Sequence, residues 1–262
     1  MKKVISVMVM LVLVLSSLSL GYSETLNIDT DVTNGVVKVQ VGDLSSKIML
    51  LVEKDGVKYT YPIVDSDVNV FPLQMGNGVY NIRVMQNIEG TKYKEISKVT
   101  SNLDLEDKNN VYLNSIQDIE WKDNQQAIIK ATALTKGLKT DADKVKAIYT
   151  YITKNYKYDY DKAKTVTSGY FPKIDDVYSA KKGICYDYSA LFAAMLRSQG
   201  IPTKLVKGYA TPTGDVYHAW NEVYVNGTWK VVDTTTDAPS VQAGKTVSMY
   251  KSTAAYSAQK TY

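Results

Sequence analysis

The chain of 262 residues contains one cysteine and one histidine, and both sit in stretches where such residues do chemistry. Cys185 lies within Gly183 to Pro202, GICYDYSALFAAMLRSQGIP. Tyr188, Leu191, Phe192, Met195 and Leu196 recur there at helical spacing, and Gly200 followed by Pro202 supplies a stop, so Cys185 falls in the first turn of a predicted helix. The unpaired N–H groups and the dipole at such an end favour negative charge, which stabilises a thiolate. The same N–H groups suit an oxyanion formed by attack on a carbonyl. A cysteine that only fills space belongs on an apolar helix or strand face instead.

A thiolate nucleophile needs a base, and His218 occurs in VYHAWNEVYVNGTWKVVDTTT. Asn226-Gly227 is the preferred pair for a two-residue hairpin turn, which sets the register: Val225 opposite Thr228, Tyr224 opposite Trp229, Trp220 opposite Asp233 and His218 opposite Thr235. His218 and Asp233 are then diagonal neighbours on one face, within side-chain reach. A carboxylate so placed orients an imidazole and stabilises its charged form. Singly, a histidine more often serves as a structural hydrogen-bonder and an aspartate can simply end a strand. Together with the cysteine at a helix start, they form a constellation.

These residues need elements to hold them. At 262 residues and 45% hydrophobic content, one large or two modest domains fit. The net charge is +4, two less without Lys2 and Lys3, too mild to point to nucleic acid or an anionic membrane surface. Residues 1–23 have a basic start, an apolar run from Val4 to Leu15, and Gly21 and Ser23 placed for cleavage before Glu24, as in a secretory signal peptide. The run is short for a membrane span, and no later segment is long and apolar enough, so a secreted or extracellular protein is expected, free or associated with the cell surface. With one cysteine, no intramolecular disulfide can form, and the thiol is either inert, an intermolecular link or reactive.

From Leu26 to Thr100, short alternating runs surround the turn dipeptides Asp55-Gly56 and Glu89-Gly90. Residues 24–103 are therefore expected to form an all-β sandwich, immunoglobulin-like, read as a folded spacer because such a fold names no site. Residues 104–138 read as a connection, with VYLNSIQDIEW an ordered strand and 123–138 helical. Residues 139–262 read as the catalytic domain. Its first helix starts at Thr140 or Asp141 and carries Val145, Ile148, Tyr149 and Ile152 on one face. The tail after Val247 is tyrosine-rich and expected to be pinned by those tyrosines.

The stretches GICYDYSALFAAMLRSQGIPTKLVKGY and YHAWNEVYVNGTWKVVDTT resemble the core of the transglutaminase-like superfamily: Gly-x-Cys at a helix start, a Gly-Ile-Pro strand entry, His-Ala-Trp on a strand and Trp-x-x-x-Asp on the next. The resemblance covers roughly 141–236 and implies an α+β fold with a papain-like core: the cysteine helix packed on an antiparallel sheet, with Cys185, His218 and Asp233 as a Cys-His-Asp triad. It implies a thiol acyl-transfer enzyme on protein or peptide carboxamides, working through a thioester that an amine or water resolves. A cysteine protease or amidase with the same triad is one alternative, and a non-catalytic surface-binding module is another. Among nearby aromatic residues, Tyr158, Tyr186 and Trp220 are candidates to wall the acyl site or donate to the oxyanion, although ordinary packing accounts for any one of them. No cofactor is expected. No metal is expected either, since nothing clusters the oxygen ligands that calcium takes.

Overall fold

The computed structural model describes residues 26–42, 44–214 and 216–262. The leader assigned to residues 1–23 lies outside them. Seven strands come first: β1 (Leu26–Asp31), β2 (Val36–Val41), β3 (Ile48–Lys54), β4 (Val57–Ile63), β5 (Asn69–Pro72), β6 (Gly78–Glu89) and β7 (Lys92–Leu103). They form two antiparallel sheets, ordered β1-β2-β5 and β4-β3-β6-β7. Alternation accounts for the arrangement: Val37, Val39 and Val41 of β2 and Ile48, Leu50 and Val52 of β3 are buried, and Lys38, Gln40, Met49 and Leu51 between them are less so.

The connection differs from expectation. VYLNSIQDIEW is not a strand: its start belongs to a 3-10 turn, Lys108–Leu113, capped by the Asp107 side chain on the Asn109 N–H, and only an isolated bridge joins Ile116 and Ile119. Asp107 supplies a local hydrogen bond that competes with an extended ladder. Then follow α1 (Gln126–Thr135) and α2 (Asp141–Asn155), the latter capped by the Thr140 hydroxyl on the Asp143 N–H. Val145, Ile148, Tyr149 and Ile152 of α2 are buried together.

The remaining elements are β8 (Lys157–Tyr158), α3 (Tyr160–Thr165), α4 (Ile174–Ala180), β9 (Lys182–Gly183), α5 (Cys185–Arg197), β10 (Thr203–Ala210), β11 (Tyr217–Val225), β12 (Thr228–Val232), α6 (Thr234–Gln242), β13 (Tyr250–Lys251) and β14 (Tyr256–Thr261). An antiparallel sheet runs in the order β13-β12-β11-β10-β14, and α5 packs against β10 and β11. The Asn226-Gly227 turn has φ of 53° and 76°, the left-handed pair that a two-residue hairpin requires. The ladder follows the expected register from Val225 opposite Thr228 to Asn221 opposite Val232, then stops. The pairings of Trp220 with Asp233 and His218 with Thr235 do not form. Asp233 instead turns the chain out of the sheet and caps α6, so Thr235 lies on a helix and His218 pairs with Gly208 of β10.

Buried side chains from Val36 through the α5 row to Tyr262 make one continuous core. Tyr262 packs edge-on to Tyr59 and Tyr61 of β4, and Gln74 donates to the Thr261 carbonyl. Arg197, at the end of α5, is buried and donates to the carbonyls of Thr203, Asn114 and Tyr262.

Candidate active site

Cys185 is the first residue of α5, and the α-helical ladder begins with the Tyr188 N–H on the Ile184 carbonyl. The N–H groups of Cys185, Tyr186 and Asp187 therefore precede the ladder, where helices leave donors free of intrahelical partners. Asp187 accepts the Ile184 N–H at 2.8 Å and an ion pair from Lys162 at 2.7 Å, and it also accepts the Tyr170 hydroxyl. This fixes the entry to α5. A Cβ on Gly183 would lie 2.5 Å from the Asp187 Cβ, so only glycine fits beside that carboxylate. Two short parallel pairs, Lys157 with Lys182 and Tyr158 with Gly183, lay the strand after α2 alongside the approach to Cys185.

His218 is buried on β11, with Nε2 2.9 Å from Asp233 Oδ2. Asp233 divides its two oxygens: Oδ1 accepts the N–H groups of Thr235 and Thr236 at 3.2 and 3.1 Å, and Oδ2 faces the imidazole. This network sets the tautomer. With Nε2 turned to Asp233, Nδ1 is the nitrogen left for Cys185. Burial opposes the charged ring, but hydrogen bonds with Asp233 and Cys185 and their charges outweigh it, and His218 is pushed up to about 9. Burial likewise opposes the Asp233 carboxylate, and the bond to His218 with its charge still holds the group below the ordinary aspartate range. Asn221 Nδ2 spans from β11 to the Ser189 carbonyl of α5 and to Lys204 of β10, holding the cysteine helix against the strand that bears the base.

A cysteine at a helix start beside an imidazole, itself held by a carboxylate, can form a thiolate and imidazolium and deliver a proton to a leaving group. Residues 130–234, which contain all three, match the sequence model of the Transglutaminase-like superfamily. It is this part of the chain that is similar to the superfamily. The matched stretch has the α+β arrangement expected of it, with helix α5 packed on an antiparallel sheet.

Curated relatives match over the same region. The Kyphoscoliosis peptidase of Homo sapiens is 33% identical over 105 residues, 37% of this chain and 16% of that protein. The Uncharacterized protein YebA of Bacillus subtilis (strain 168) is 29% identical over 110 residues, 36% of this chain and 15% of that protein. The match thus spans about a sixth of these relatives. A solved TGase aligns at 24% identity with a TM-score of 0.33, over 42% of this chain and 30% of its own.

The structure separates the three aromatic candidates around the transglutaminase-like site. Tyr158 is half-buried and close enough to Cys185 for burial and then the cysteine's charge to raise its phenol. Its ring meets Tyr160 edge-on at 5.0 Å, and Tyr160 is well exposed. Tyr186 points elsewhere: its hydroxyl donates to Asp118 at 2.7 Å and its ring lies 3.7 Å from Lys207 Nζ. Trp220 is 1% exposed and stacks on His218 at 6.3 Å, so it backs the imidazole and walls no open cleft. Two residues escaped sequence reasoning. Asp187, three residues after Ile184, had the spacing of a capping carboxylate as its signal. Tyr256, whose hydroxyl reaches Asp233, had none.

Proposed function

We propose that this protein is a secreted, thiol-dependent acyl-transfer enzyme acting on carboxamides of proteins or peptides. The observation that carries the reading is the convergence of the chain's one cysteine, at a helix start, with its one histidine, paired to a buried carboxylate at 2.9 Å. The Cys185 thiolate attacks the carboxamide carbon, and the oxyanion meets the first-turn N–H groups, with the Tyr158 hydroxyl as a further donor. The His218 imidazolium gives its proton to the departing ammonia or amine as the C–N bond breaks, leaving a thioester. An incoming amine or water then attacks; His218 takes its proton, and the C–S bond breaks to release Cys185. Asp233 keeps the ring oriented and its charged form stable throughout.

An amine acceptor gives transglutaminase chemistry and a new amide, or an isopeptide crosslink where the amine is a lysine. Water as acceptor gives a peptidase or amidase, a second reading favoured by the name of the human relative. The apolar leader motivates secretion, either free or at the cell surface. Intact-mass analysis of a glutamine- and lysine-containing protein, incubated with the mature enzyme and a small primary amine beside Cys185→Ala, tests the proposal. Cysteine-dependent amine adducts or crosslinks support acyl transfer to amines. Cysteine-dependent cleavage or deamidation without adducts moves the assignment to a hydrolase. If Cys185 alkylates near neutral pH no faster than a model thiol and no product forms, the enzyme reading fails. Activity is expected to survive chelation; complete loss restored by calcium would overturn that expectation.

A further inference from the structure

Beyond the stretch that matches the superfamily, one side chain returns to the site. Tyr256, the first residue of β14, is half-buried, and its hydroxyl donates to Asp233 Oδ2 at 3.1 Å. That is the same oxygen that faces His218. Three observations make the contact specific. Strand β14 pairs with β10 through Tyr256 opposite Ala210, Ser257 opposite Tyr209 and Ala258 opposite Gly208, so the backbone fixes the phenol's position. The Tyr256 ring tilts onto Trp220 at 5.1 Å, and Trp220 stacks in turn on His218. Burial first, and then the Asp233 charge, push the Tyr256 phenol up, so it remains a donor through the range in which His218 titrates.

We propose that Tyr256 is a positioning residue for the His218–Asp233 pair, so that the segment after residue 247 is part of the working site. The inference rests on the triad reading above. Two donors share Oδ2, the Tyr256 hydroxyl and the His218 N–H, and each weakens the other's hold. The phenol therefore favours the neutral ring relative to the charged one. It keeps the imidazolium acidic enough to release its proton to a leaving amine, while holding the carboxylate in one orientation. The other groups around this pair are Cys185 from α5, the Thr235 and Thr236 N–H groups and Asp237 from α6, Tyr149 from α2, which donates to Asp237, and Lys251 from β13, which pairs with Asp237.

The single histidine makes the test direct, because the imidazole signals in an NMR titration belong to one residue and require no substrate. Tyr256→Phe keeps the ring on Trp220 and removes only the hydroxyl; Tyr256→Met keeps apolar volume there and removes it too. Both are expected to raise the His218 midpoint by about half a pH unit, a fraction of what a hydrogen bond to a charged group contributes. Neither should move it in an Asp233→Asn background. Where a turnover assay exists, kcat falls several-fold and KM holds. A Tyr256→Phe titration that superimposes on wild type, or a shift that persists with Asp233→Asn, overturns the inference. The triad reading is judged separately by Cys185→Ala: a fall in the His218 midpoint supports the thiolate–imidazolium pair, and an unchanged midpoint refutes it, whatever Tyr256 does.

Discussion

Two buried aspartates stand at the starts of neighbouring helices, and they invite comparison. Asp187 at α5 and Asp233 at α6 are both fully buried, both accept backbone N–H groups at a helix start, from the N-cap residue Ile184 and from Thr235 and Thr236, and both accept a tyrosine hydroxyl, from Tyr170 and Tyr256 respectively. They differ in the cation. Asp187 faces the ammonium of Lys162, and Asp233 faces an imidazole that gains and loses its proton. A buried, hydrogen-bonded carboxylate therefore does not by itself mark a catalytic group. Its partner decides: a lysine makes a staple that positions the cysteine helix, and an imidazole makes a proton-handling pair.

The comparison breaks most visibly in activity. Asp233→Asn keeps an acceptor for the α6 cap but removes the charge behind His218, and turnover is expected to fall roughly 10³- to 10⁴-fold with modest loss of stability, read by kcat and denaturant titration on the same preparation. Equal losses of activity and stability would make Asp233 a staple like Asp187.

Stability against pH should also separate the two sites. His218 is raised in the folded state, from 6.5 to about 9, so its contribution is complete below pH 6.5 and is lost as pH rises through about 9. That loss is about 3 kcal/mol across the window. Asp233, depressed on folding, contributes above its unfolded value and loses its effect only in acid, well below this window. Urea denaturation from pH 6 to 9.5 should show the decline in the wild type and not in His218→Gln, and a decline of equal size in both would remove His218 as its source.

The Asp187 cluster should behave as structure. Asp187→Ala strands Lys162, which is partly exposed, and is expected to cost about 2 to 3 kcal/mol, the low end for a broken buried pair. Its His218 titration midpoint should stay where it is. The smallest effect belongs to Tyr170→Phe, about 1 kcal/mol or less by thermal denaturation, with the rate of Cys185 alkylation unchanged. An altered alkylation rate there would mean that the Asp187 cluster tunes the thiol as well as placing it.

The legible parts of the molecule are those whose information is local. Asn226-Gly227 dictates its own dihedrals, so the hairpin register follows residue by residue to Asn221 and Val232. The helical spacing after Cys185 and the cap at Thr140 are equally local. The ladder ends at the very next residue, where the capping preference of Asp233 overrides its continuation. The approach of Tyr158 to Cys185 depends on a two-residue parallel pair, too short to leave a periodic pattern. The Tyr256 contact joins residues 23 apart through a strand that inserts beside β10, and only the assembled topology brings them together. Tyr186 adjoins Cys185 in sequence, but successive side chains of a helix point in different directions, and Trp220, on the His218 face of β11, is covered by Tyr256.

Strand β14 has a practical corollary for anyone cutting this chain. A fragment stopped where the superfamily match ends, at residue 234, would divide α6 after its first residue and strip β10 of its outer neighbour. The backbone groups of β10 that pair with β14 would stand open as a template for other strands, beside an indole that has lost its tyrosine cover. Such a piece would retain Cys185, His218 and Asp233 and still be prone to stick to itself, so the boundary of sequence similarity is not the boundary of the folding unit.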